Sequence, residues 1–197
     1  MTLIKMPYLR ALVGTSLLTI LAACQLPPTV ASNEASPEQR QAVIDALVKF
    51  GLEGDVSDAT ATAKFFNAAF YLSDKYWGVL SQERTEWYRV HQNGPSVFTG
   101  KSQYTWRWVH GVQFQSADLT LYPDRAFCLS PSEISAAIPE RYRGGEKLKK
   151  LVGIYPPAGE SLKNSSMFIF TDDNACLKSV SFFSKAPDSV AKPHSPS

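Results

Sequence analysis

Residues 104–110 read YTWRWVH, an alternation of ring-bearing and other side chains that indicates the fold class. Side chains of a β-strand point alternately to the two faces of its sheet. One face would carry Tyr104, Trp106, Trp108 and His110, and the other Thr105, Arg107 and Val109. The stretch therefore predicts a strand with two chemically different faces.

Short segments rich in Trp, Tyr, Phe, Val and Thr surround this strand from about residue 85 onward. Turn-forming residues at 93–95 and 123–124 separate them. The predicted strands cover residues 85–91, 103–115, 117–122 and 125–129. A closing hairpin of residues 167–170 and 176–183 would turn through Asp172-Asp173-Asn174.

Helix signals precede and interrupt the strands. Ser36, Pro37 and Gln39 form a start signal with a capping box, and Gly51 is the predicted end. The buried stripe would contain Val43, Ile44, Leu47 and Phe50.

A second helix is predicted from Asp58 onward, with a stripe of Phe65, Ala69, Leu72 and Tyr76. Ser130-Pro131-Ser132-Glu133 would open a short third helix that Pro139 closes. Early helices followed by antiparallel strands predict an α+β fold, with the N-terminal helices packed on an antiparallel sheet.

The N-terminal region has the zones of an export signal. Lys5 and Arg10 precede an uncharged run, residues 11–23, that is too short to span a bilayer. Leu21-Ala22-Ala23-Cys24 then resembles the lipobox of bacterial lipoproteins. The alternative is an ordinary export signal followed by a chance cysteine.

The resemblance implies cleavage after Ala23 and lipidation of Cys24, usually with a second acyl modification such as palmitate on its amine. Two or three chains anchor a protein firmly to a membrane. Gln25 in place of an aspartate favours the outer membrane, facing the periplasm. The expected organisation is a signal peptide at 1–23, a flexible tether at 24–36, one domain at 37–184 and a disordered tail at 185–197.

Charge and cysteine content fit this expectation. The precursor carries +2 from 20 basic and 18 acidic residues, and Lys5 and Arg10 leave with the signal, so the mature chain is formally neutral. No general attraction to nucleic acid follows. Cys128 and Cys176 are expected to form a disulfide in an oxidising compartment. The alternatives are buried free thiols or a nucleophilic Cys128.

Catalytic signals are sparse. The sequence has no His-Glu-x-x-His, Gly-x-Ser-x-Gly or phosphate-binding glycine loop. His91 and His110 are interpreted as strand residues, and no ligand set for a metal or cofactor is expected. The competing hypothesis is a cell-wall or lipid hydrolase that uses His91 or His110 beside Glu83 or Glu86.

Two features are candidate binding surfaces. One is the aromatic strand, with Tyr104, Trp106, Arg107 and Trp108, which is either core, a protein-binding surface or a platform for glycan rings. The other is the basic stretch 141–150, which is either a solvated surface or a site for an acidic protein or for anionic lipid. Its candidate contacts are Arg141, Arg143, Lys147, Lys149 and Lys150.

The leading hypothesis is a lipid-anchored, non-enzymatic binding protein with a periplasmic protein partner. An envelope-assembly accessory and an inhibitor or immunity protein both fit this class. A structural lipoprotein that contacts peptidoglycan is a further alternative.

Overall fold

The computed structural model describes residues 34–80, 82–109, 113–143, 151–171, 173 and 175–186 of the chain. The lipobox, Cys24 and His110 lie outside them. Within the described part, no helix is both long enough and apolar enough to cross a membrane. The elements in chain order are α1 (Pro37–Glu53), α2 (Ala59–Phe65), β1 (Ala68–Gly78), β2 (Glu83–Gln92), β3 (Gln103–Val109), β4 (Gln113–Leu121), α3 (Pro131–Ala137), a 3-10 turn (Glu140–Tyr142), β5 (Leu151–Ile154), β6 (Ser165–Phe170) and β7 (Leu177–Lys185).

The capping signals predicted for α1 and α3 are confirmed. In α1 the Ser36 hydroxyl accepts from the Gln39 amide, and the Gln39 side chain accepts from the Ser36 amide. Ser130 and Glu133 make the same reciprocal pair at the start of α3. Helix α1 runs past the predicted end at Gly51 to Glu53, and the amide of Gly54 donates to the Phe50 carbonyl.

The second helix is much shorter than predicted. Asp58 caps it as expected, since its carboxylate accepts from the Ala61 amide at 2.9 Å. The helix ends at Phe65, and Asn67 adopts a left-handed conformation with φ of 46°. The chain then enters β1, so the prediction of helix for Ala69, Leu72 and Tyr76 is wrong.

Residues 125–129 are not a strand either. The Asp124 carboxylate accepts from the Ala126 amide at 3.0 Å, and the Asp124 carbonyl accepts from the Phe127 amide at 2.9 Å. This turn directs the backbone away from the strand hydrogen bonding that a strand at 125–129 would need. Among the described residues, one backbone hydrogen bond then joins the end of this segment to the sheet, from the Leu177 amide to the Leu129 carbonyl at 2.8 Å.

The strands form one antiparallel sheet in the order β1-β2-β3-β4-β7-β6-β5. Cross-strand pairing aligns Tyr104 with Leu119 and Leu119 with Phe182. These three side chains share a face and are almost fully buried. The central rows of this face therefore form the sheet side of the core.

Helix α1 packs closely on that face. The Phe50 ring meets the Phe182 ring edge-on at 4.9 Å. A Cβ atom added at Gly51 would lie 2.5 Å from Ile154 Cδ1 and 2.8 Å from Ser166 Oγ, so glycine permits the close approach. Asn164 fixes the end of the helix, because its side chain accepts from the Val56 amide and donates to the Phe50 carbonyl.

The predicted disulfide is confirmed. Cys128 and Cys176 are bonded, with their Cα atoms 4.8 Å apart. The bond links the segment before α3 to the start of β7. It thereby holds α3 beside the sheet.

Candidate functional site

The predicted aromatic face divides into a buried part and a partly exposed part. Tyr104 is 1% exposed, and its hydroxyl donates to the Val56 carbonyl at 2.9 Å. The Phe70 ring stacks on it at 4.6 Å. Tyr104 is therefore a core residue, and its assignment to a binding surface is wrong because α1, α2 and their connection cover this row.

Trp106 and Trp108 lie further along the same strand and are only partly buried. Their rings stack at 5.0 Å with an interplanar angle of 20°. Phe114 approaches the Trp106 ring at 6.2 Å. The indole nitrogen of Trp106 is buried without a hydrogen-bond partner among the described residues.

A charged cluster on β2 borders the tryptophans; of its members only Glu86 was a candidate from the sequence, and Arg84 and Tyr88 were not. The Arg84 guanidinium lies over the Trp108 ring, 5.1 Å from its centroid, and pairs with the Glu86 carboxylate. Tyr88 also donates to Glu86. Burial, followed by the hydrogen bond to Glu86, raises the pKa of Tyr88 to about 12. Glu86 is thus a buried carboxylate whose two partners orient the aromatic cluster.

Among the described residues, the most exposed large apolar side chains lie on the hairpin of β1 and β2. Trp77 is 51% exposed, Val79 is 80% exposed and Leu80 is fully exposed. Large contiguous apolar patches are uncommon on monomeric soluble proteins and mark interaction sites. We call the following set the hairpin surface: Tyr71, Leu72, Tyr76, Trp77, Val79 and Leu80.

The hairpin surface has side chains on both faces of the sheet. Trp77 pairs with Arg84 and Leu72 with Tyr88, on the face of the tryptophan cluster. Tyr76 pairs with Thr85 and Tyr71 with Arg89, on the opposite face. Because both faces are exposed, these residues do not serve as a cover for the protein's own core.

The two edges of the sheet differ sharply. Strand β5 is four residues long, and residues beside it bridge to it, with Arg143 paired to Ile154 and the Tyr155 amide bound to the Tyr142 carbonyl. Strand β1 has 11 residues and only β2 beside it among the described strands. Long apolar edge strands favour pairing with another chain.

The described part of the basic stretch is engaged within the protein. Arg143 donates to the Ile138 and Ala136 carbonyls at 2.7 and 3.1 Å, where it caps the end of α3. Arg141 lies over the Tyr142 ring at 4.7 Å and is 3.9 Å from the Glu160 carboxylate. Lys147, Lys149 and Lys150 lie outside the described residues.

The geometry does not bring His91 to the proposed carboxylates. His91 is exposed and contacts the Tyr71 ring edge-on at 5.2 Å. Glu86 lies on the opposite face of β2, and Glu83 is eight residues away along the strand, which is about 27 Å. Among the described residues, no group of three or more His, Cys, Asp or Glu is placed to hold a metal ion.

Arg107 lies on the face opposite to the tryptophans, in cross-strand register with Thr85 and Ser116. Its side chain is exposed. Because it is on the other face of the sheet, it is separate from the aromatic cluster of Trp106 and Trp108. The sequence alternation predicted this separation.

The chain was compared with protein-family models, curated proteins and solved structures, and none of them matches it.

Proposed function

We propose that the chain is a lipid-anchored envelope lipoprotein whose folded domain binds a protein partner through the hairpin surface and does not catalyse a reaction. The observation that carries this proposal is the exposure of Trp77, Val79 and Leu80 on a hairpin whose two strands are paired along their length. Trp, Tyr and Arg are the side chains most enriched at binding hot spots. The hairpin surface and its neighbours Arg84 and Trp108 have this composition.

The disulfide between Cys128 and Cys176 supports the compartment in this proposal. Disulfides persist in the periplasm and outside cells and are rare in reducing compartments. Within this proposal, Cys24 is the lipidated first residue of the mature chain. The protein is anchored to the outer membrane and faces the periplasm.

A substitution of Cys24 tests the proposed lipid anchor. Cys24→Ser should accumulate as an uncleaved precursor that takes up no labelled fatty acid in living cells. A mutant that is processed and lipidated like the wild type would contradict the anchor.

The binding surface is tested by photo-crosslinking in the cells that make the protein. A photoreactive amino acid at position 80 should give a discrete adduct, and one at Glu160, an exposed residue remote from β1, should not. The Trp77→Ser change should remove the adduct made from position 80. Equal adducts from positions 80 and 160 would indicate non-specific contact and would sink the proposal.

A further inference from the structure

A second candidate site lies on the face of the sheet opposite to the aromatic cluster. A depression of about 360 Å³ is lined by Glu83, Thr85, Arg107, Gln115, Ser116, Phe183 and Lys185. That volume lies in the range of small-molecule pockets. The depression lies beside the hairpin surface, since Thr85 is the cross-strand partner of Tyr76, and it requires neither a protein partner nor the proposed anchor.

The floor and walls of the depression follow from the register of the strands. Thr85, Arg107, Ser116 and Lys185 are successive cross-strand partners on β2, β3, β4 and β7. Small Ser116 lies between the two long cationic side chains of Arg107 and Lys185. Since β3 and β7 lie two strand spacings apart, the Cα atoms of the two cations are separated by about 10 Å.

Several hydrogen-bond donors in the depression have no partner within the described part of the chain. The Arg107 guanidinium, which carries five N–H donors, makes no hydrogen bond or ion pair there. The same holds for the hydroxyls of Thr85 and Ser116, two residues that are less than 10% exposed. One cation and two hydroxyls therefore face the same space with unused donors.

Two acidic groups, Asp118 and Glu83, lie near these donors. Asp118 is half-buried and accepts from the Thr120 hydroxyl at 2.9 Å. Burial raises the pKa of Asp118, and the charge of Arg107 acts in the opposite direction. Glu83 belongs to the lining, so the lining side chains carry two positive charges and one negative charge.

We propose that this depression binds a single oxyanion group, a carboxylate or a phosphate, at the end of a larger molecule. The planar guanidinium of Arg107 would take two oxygens in parallel hydrogen bonds, the geometry in which arginine recognises both groups. The Ser116 and Thr85 hydroxyls would donate to the remaining oxygens. Lys185 would add a second positive charge at the far wall.

The test is a titration of the full chain in a maltoside detergent with inorganic phosphate and, separately, with acetate. Amide resonances of residues 85, 107 and 116 are followed by NMR at constant ionic strength, because salt screens exposed charges. At least one anion should produce saturable shifts at these amides. A stronger response to phosphate would assign a phosphate-bearing ligand, and a stronger response to acetate would assign a carboxylate.

The control variant separates the site from general charge attraction. Arg107→Gln should raise the apparent dissociation constant at least tenfold, and Arg89→Gln should change it less than twofold. Arg89 is an exposed arginine four residues from Thr85 on the same face of β2. Absence of saturation with both anions, or equal binding by the wild type and Arg107→Gln, would overturn the proposal.

Discussion

The Tyr104 hydroxyl donates a 2.9 Å hydrogen bond to the main-chain carbonyl of Val56 and thereby ties the middle of the sheet to the connection between α1 and α2. Both residues are almost completely buried. The bond holds the helical layer over the central rows of the sheet. Beyond this layer, the same face continues into the partly exposed tryptophans and the hairpin surface.

Removing that bond should destabilise the fold measurably. Tyr104→Phe leaves the Val56 carbonyl buried without its side-chain partner, which costs about 1–3 kcal/mol of unfolding free energy. Urea denaturation followed by tryptophan fluorescence measures the change. Tyr71→Phe is the control. Because Tyr71 is exposed, this substitution should change the midpoint of urea denaturation very little. Equal midpoints for both variants would contradict a stabilising role for the bond.

Stability should fall in alkaline solution. Burial, followed by the charges of Tyr88 and Asp58, raises the pKa of Tyr104 above its ordinary value of 10. The pKa of Tyr88 is raised as well. The native state therefore keeps protons that the unfolded chain loses, so this contribution is complete below about pH 10 and is lost as the pH rises through the folded-state pKa values.

Denaturation series between pH 8 and pH 12 measure this loss. The free energy of unfolding should decrease less steeply above pH 10 in Tyr104→Phe than in the wild type. Parallel curves would show that Tyr104 does not account for the alkaline loss.

The close approach of α1 to the sheet gives a matched pair of glycine substitutions. In Gly51→Ala the new methyl group meets Ile154 and Ser166, and overpacking of this kind costs about 1–3 kcal/mol, against roughly 1 kcal/mol that alanine gains over glycine within a helix. Gly100→Ala meets nothing within 4 Å and serves as the control. Thermal unfolding should show a lower midpoint for Gly51→Ala alone. A midpoint unchanged in both variants would disprove the tight contact.

The disulfide should contribute strongly to stability. Cys128 and Cys176 are separated by 48 positions, and a cross-link over a loop of this length stabilises by about 4 kcal/mol on the chain-entropy model. The Cys128→Ser, Cys176→Ser double variant should unfold at a correspondingly lower urea concentration. Dithiothreitol should lower the urea midpoint of the wild type toward that of the variant and leave the midpoint of the variant unchanged. A variant as stable as the oxidised wild type would refute this contribution.

Local signals were sufficient for the elements with distinct caps and for the faces of residues 104–110, but the single strand predicted over 103–115 is wrong, because the structure has β3 end at Val109 and β4 begin at Gln113. Ser36 and Ser130 each begin a reciprocal capping box, which is encoded within four residues and needs no tertiary contact. The alternation in residues 104–110 correctly places Trp106 and Trp108 on one face, since their rings stack. Cysteine counting predicted the disulfide because only two cysteines followed Cys24.

The errors in the predicted elements come from strand pairing and from the way the elements pack. Phe65, Ala69, Leu72 and Tyr76 are spaced like a helical stripe, but the left-handed turn at Asn67 and the ladder with β2 convert this segment to a strand. The hairpin surface was missed for the same reason, because apolar residues assigned to a helix stripe are expected to be buried. Exposure of both faces of a hairpin depends on which elements cover it, and no local pattern encodes that.

The most direct test of the account is the Trp77→Ser, Leu80→Ser double variant, compared with the wild type for both stability and partner binding. Both residues are at least half exposed, so the midpoint of urea denaturation should stay nearly unchanged. A photoreactive amino acid at position 72, which lies on the same face as Trp77, should give an adduct in the otherwise wild-type chain that disappears in the double variant. A double variant that loses most of its stability, or one that keeps the adduct at wild-type yield, would contradict the claim that this hairpin is a binding surface.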